Sequence, residues 1–85
     1  MKQISYVIQD ALGMHARPAG LFTKEAAKFS SSVKIAANGK EVDAKRIIGV
    51  MSLGVRQGQE ITLTIEGADE EDAASTLEKF LKENL

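Results

Sequence analysis

The sequence predicts an α+β fold, a four-stranded antiparallel sheet with three helices on one face. Three observations lead there. Apolar residues switch between a period of two and a period near 3.6, in the order β-α-β-β-α-β-α. Asn38-Gly39 stands between two alternating runs, the dipeptide that a two-residue hairpin turn favours. The first helix links two strands that must run parallel, and right-handed crossover rules then place the fourth strand between them. Because every strand alternates apolar and polar residues, the far face of the sheet stays open, giving an open-faced β-sandwich. Eighty-five residues are expected to make a single domain, 1–85.

Residues 2–9 read as the first strand, with Ile4, Tyr6 and Ile8 on one side. Asp10-Ala11-Leu12-Gly13 is a loop. A helix follows from about Ala16 to Phe29, with Phe22, Ala26 and Phe29 at helical spacing. Gly20 inside it costs about 1 kcal/mol relative to Ala; it either admits another surface or is simply tolerated. Ser30-Ser31-Ser32 breaks the helix, and Val33, Ile35 and Ala37 alternate as the second strand. The third strand is Lys40 to Asp43. Ile47 to Ser52 reads as a brief helix closed by Gly54. It is apolar all round (Ile47, Ile48, Val50, Met51, Leu53), and two turns cannot bury every face, so part of it must be exposed. Ile61, Leu63 and Ile65 make the fourth strand. Asp69 is the expected N-cap of a last helix running to about Asn84, with Ala73, Leu77, Phe80 and Leu81 on its apolar stripe.

One stretch concentrates chemistry. Gly13-Met14-His15-Ala16-Arg17-Pro18-Ala19 holds the single histidine and the single proline of the chain. Pro18 suits a first helical turn, where its missing N–H would have had no internal partner. His15 therefore falls at or just before a helix N-terminus, whose free N–H groups and dipole favour an anion, phosphate above all. Arg17 adds a fork of donors matched to phosphate oxygens. A nucleophilic nitrogen, an anion cradle and a guanidinium suggest an imidazole that accepts and passes on a phosphoryl group. Taken alone, the same histidine also fits a capping or surface residue.

Composition narrows the classes. With no Cys and one His, no disulfide framework or multi-ligand metal site is expected, and no cofactor is implied. No apolar run approaches the roughly 20 residues of a membrane span, and the first residues lack a signal peptide's apolar block, so a cytoplasmic chain without membrane insertion is expected. A net charge of −1 and few aromatic residues disfavour nucleic-acid binding. Charge is uneven: residues 1–65 carry +4 and residues 66–85 carry −5. The basic body that holds His15 could steer an acidic partner.

The His15 stretch, together with Lys45-Arg46-Ile47-Ile48-Gly49-Val50-Met51-Ser52-Leu53-Gly54, closely resembles the HPr family. These are histidine-containing phosphocarriers of the bacterial phosphoenolpyruvate:sugar phosphotransferase system. The resemblance covers essentially the whole chain, including Asn38-Gly39, Gly58 and Glu66-Gly67-Ala68-Asp69-Glu70. It implies a carrier, not a free-standing enzyme. Enzyme I would phosphorylate His15 at Nδ1, and the group would pass to EIIA domains of sugar permeases. Arg17 would contact the phosphate, and the backbone at Ala16 and Arg17 would cradle it. Met14, Gly20, Lys24, Ile47, Ile48, Met51 and Leu53 would dock the partners, with Lys24, Lys45, Arg46 and Arg56 as a basic rim. The protein is expected to act as a monomer.

Two positions depart from the family pattern. Arg46 stands where some members carry a regulatory serine, so phosphorylation of that type is expected to be absent. Leu12 replaces a polar residue of many members. Two other readings are a paralogous carrier in a nitrogen-related or regulatory phosphorelay, and an interaction module that uses the apolar short helix with His15 incidental. The second requires His15→Ala to leave function intact.

Overall fold

The computed structural model describes residues 1–85. The elements are β1 (Lys2–Val7), α1 (Ala16–Ala27), β2 (Ser32–Ala37), β3 (Lys40–Asp43), α2 (Ile47–Ser52), β4 (Glu60–Glu66) and α3 (Glu70–Asn84). The sheet order is β1-β4-β2-β3, with every neighbouring pair antiparallel. The fourth strand therefore lies between the first two, as the crossover argument requires.

Register explains why one face is dry. Ile4, Leu63, Ile35 and Val42 form one cross-strand row, and Ile65 pairs with Val33 beside it. The intervening row, Ser5, Thr62, Ala36 and Glu41, faces the open side. A slip of one residue would exchange the two faces, so burial itself specifies the register. Phe22 and Ala26 of α1, Val50 of α2, and Ala73, Leu77 and Leu81 of α3 join the strands in one buried cluster. The Phe22 and Phe80 rings meet with centroids 5.9 Å apart, tilted by 49°. Each fully buried side chain of this size contributes about 1.5–3 kcal/mol, well beyond any single surface contact in the molecule.

Asn38 (φ 52°) and Gly39 (φ 76°) both adopt the left-handed conformation of the expected two-residue hairpin. Three sequence expectations need correction. First, β1 ends at Val7, not Gln9, although the chain stays bound as Ile8 N–H donates to Gln59 O at 3.0 Å. Second, α1 ends at Ala27, so Phe29 packs from the loop and not from the helix. Third, Asp69 occupies the N-cap position of α3, but its carboxylate makes no cap bond. It accepts instead from the N–H groups of Ser30 and Ser31, both at 2.9 Å, and from the Ser31 hydroxyl. The serine tract has unpaired donors where α1 gives way to β2, and the carboxylate satisfies them. No helix is long and apolar enough to cross a membrane.

Candidate functional site

His15 is the N-cap residue of α1, with extended backbone (φ −82°, ψ 178°) and no side-chain cap bond. Its imidazole is therefore not spent on the helix, and the side chain is 36% exposed. The first intrahelical bond runs from Ala19 N–H to His15 O at 3.0 Å. The N–H groups of Ala16 and Arg17 have no partner in the protein, and Pro18 supplies none. Two free donors thus stand beside the imidazole at the positive end of a three-turn helix.

The loop before the helix is held just as firmly. Gly13 N–H donates to Asp10 O at 2.9 Å and closes a turn, and Met14 N–H donates to Val55 O at 3.1 Å. Gly13 has φ 67°, and a Cβ there would lie 2.8 Å from Arg56 Cα. Only glycine lets this loop run so close to the Val55–Arg56 backbone. The result is a depression of about 270 Å³ lined by Asp10, His15, Arg17, Pro18, Leu21 and Asn84. Asp10 Oδ1 lies 3.8 Å from His15 Nε2. A larger hollow of about 420 Å³ opens at the start of α3. Its lining, Gly67 to Asp72, holds four carboxylates and no nucleophile, so it repels the anion that the His15 depression attracts.

Around His15 the remaining assigned residues divide. Ile47 (39%), Ile48 (83%) and Met51 (43%) are exposed, as is Lys24 of α1, whereas Gly20 is half-buried. Ile47 Cδ1 sits 3.5 Å from where a Gly20 Cβ would be, so α1 and α2 meet there. Met14 and Leu53, expected to dock partners, are instead buried at 5% and 4% exposure. The core beneath the helix starts claims their side chains. Lys45 also leaves the expected rim: it is half-buried, and its ammonium donates to Phe29 O at 2.8 Å. Arg46 and Arg56 remain exposed. Arg46 holds the N-cap position of α2 without a side-chain cap bond, as a residue lacking a short oxygen acceptor must.

Three residues that line the depression, Asp10, Leu21 and Asn84, are not singled out by the sequence pattern. Asp10 could have been found, since its Oδ1 accepts from Leu12 N–H at 2.8 Å in the local turn that Asp favours. Leu21 (45%) is a large apolar side chain left in solvent on this depression, legible only once the core is known. Leu12, a departure from the family pattern, is 73% exposed. Asn84 arrives from the far end of the chain and has no local signal.

The whole chain has close relatives. The family model described as "PTS HPr component phosphorylation site" matches residues 2–83. The phosphocarrier protein HPr of Mycoplasma genitalium is 45% identical over 85 residues, which cover 99% of this chain and 97% of that protein. A solved histidine-containing phosphocarrier protein from Mycoplasma matches with a TM-score of 0.93 at 38% identity, covering 96% of this chain and 93% of the other. HPr-C-His from Thermoanaerobacter tengcongensis matches with a TM-score of 0.91 at 45% identity, covering 96% and 92%. The imidazole is free of any cap bond and stands beside two unpaired helix N–H groups, an arrangement that can hold an anion next to a nucleophilic nitrogen. With kinship across its length, the chain belongs to the HPr family, the phosphocarriers of the phosphotransferase system.

Proposed function

We propose that this chain accepts a phosphoryl group from enzyme I on His15 Nδ1 and passes it to EIIA domains of sugar permeases in the cytoplasm. The observation that carries the reading is the pairing of a solvent-accessible imidazole with the unpaired N–H groups of Ala16 and Arg17. Those donors bind phosphoryl oxygens without reorganisation, and Arg17, on the same depression, offsets their charge. Ile47, Ile48 and Met51 offer an apolar contact beside the site, with Lys24, Arg46 and Arg56 as basic neighbours. Such a surface suits brief docking of a monomer to successive acidic partners. Arg46 has no hydroxyl, so regulatory phosphorylation of the serine type is absent at that position.

The test is the intact mass after mixing with phosphoenolpyruvate and a cognate enzyme I. The parent is expected to gain one acid-labile phosphoryl group, and His15→Ala none while keeping its thermal transition. A parent that gains nothing, beside a control carrier that does, would overturn the reading.

A further inference from the structure

Asp10 belongs to neither the phosphate cradle nor the docking surface, yet it is held at the site by three bonds. Its N–H donates to Leu85 O at 2.9 Å, its carbonyl accepts from Gly13 N–H at 2.9 Å, and its Oδ1 accepts from Leu12 N–H at 2.8 Å. That same Oδ1 is the acidic oxygen 3.8 Å from His15 Nε2. The charged groups lining the depression are Asp10 and Arg17, and α3 contributes the uncharged Asn84. From this arrangement we infer that Asp10 is a positioning residue, which keeps the ring proton of His15 on Nε2 and so presents the Nδ1 lone pair to phosphorus. The inference rests on the carrier reading above for its consequence, but not for its geometry.

Neutral imidazole has one N–H and one lone pair, and the group facing one nitrogen decides which is which. A carboxylate facing Nε2 favours the proton there. The separation exceeds a hydrogen bond by less than 1 Å, and such contacts tighten when the reacting complex forms. In the transfer, the Nδ1 lone pair attacks the phosphorus carried by the donor protein. The bond from phosphorus to the donor atom breaks, and its electron pair returns to that atom. The Nε2 proton stays, so the phosphorylated ring carries positive charge that the Asp10 carboxylate balances. A carboxylate alone would also repel the incoming phosphoryl group; Arg17 and the free N–H groups of Ala16 and Arg17 oppose that repulsion.

The experiment reads the His15 tautomer by ¹⁵N NMR of the unphosphorylated protein, together with the rate of phosphoryl gain from phosphorylated enzyme I. The parent should hold the proton on Nε2. Asp10→Asn should raise the Nδ1–H population several-fold and slow the gain about fivefold, the scale of one partly solvated charge pair near 4 Å. Asp10→Glu should recover most of both. Asp10→Ser retains an oxygen for the Leu12 N–H without the charge, and should behave as Asp10→Asn even if the latter folds poorly. An unchanged tautomer ratio in the Asn and Ser variants would overturn the inference. So would slower transfer with an unchanged ratio, since that marks a turn residue only. A ratio that shifts in the Asn and Ser variants, while the parent takes up no phosphoryl group, would uphold the pairing and overturn the carrier reading instead.

Discussion

Gly13 and Gly20 flank His15 and answer to different forces. Gly13 combines positive φ with backbone contact from Val55 and Arg56, so any side chain there meets both strain and a wall. Gly20 has neither: a Cβ would touch Ile47 Cδ1 at 3.5 Å, an ordinary van der Waals distance. Its helix position then leaves only the entropic penalty of glycine. Gly20→Ala is expected to raise stability by up to about 1 kcal/mol in urea titration. A loss of stability would mean that α1 and α2 already pack as tightly as they can. Slower phosphoryl transfer in this more stable protein would give the glycine a docking role.

Between elements, a polar tie of three hydrogen bonds joins Asp69 at the start of α3 to the loop after α1. The carboxyl of Asp69 is held down from 3.8 to about 2, chiefly by the Ser31 hydroxyl and then by the Ser30 N–H, against a smaller desolvation effect. A group whose acidity increases on folding stabilises the fold above its unfolded value. That stabilisation is lost as pH falls from about 4 toward 2. Asp69→Asn should therefore differ most from the parent at neutral pH and converge with it in that window, read as Tm against pH. Glu70 is shifted in the same direction by the Met1 ammonium and the Gly67 N–H. The variant should consequently keep part of the parent's acid sensitivity. Parallel curves for the two proteins from pH 2 to 7 would refute the assignment.

Across the whole molecule, burial and exposure separate two kinds of apolar residue that look alike in the sequence. Val50 and Leu53 complete the core, whereas Ile48, two residues before Val50, is 83% exposed. Ile48→Glu is expected to leave stability within about 0.5 kcal/mol, because nothing packed is removed. The same change should slow phosphoryl exchange with both enzyme I and EIIA, since it puts a carboxylate on the surface offered to acidic partners. Chemical denaturation and transfer kinetics on one preparation separate the effects. Equal transfer rates would remove Ile48 from the docking surface.

Much of this was legible without coordinates, for identifiable reasons. Alternating strands, the Asn38-Gly39 turn and the stripe of α3 are local patterns repeated over several residues, so the element order and the β1-β4-β2-β3 sheet could be read from them. His15 and Arg17 stood out because a lone histidine beside a first-turn proline marks a helix start. Tertiary structure alone decided the rest. The burial of Met14 and Leu53, the tie from Lys45 to Phe29, and the Asp69 carboxylate turned toward Ser30 and Ser31 all depend on segments distant in the chain. Asn84 reaches the His15 depression only because α3 packs back along β1. Periodicity tells a residue which face of its own element it occupies. What that face meets is set by the packing of all the elements at once.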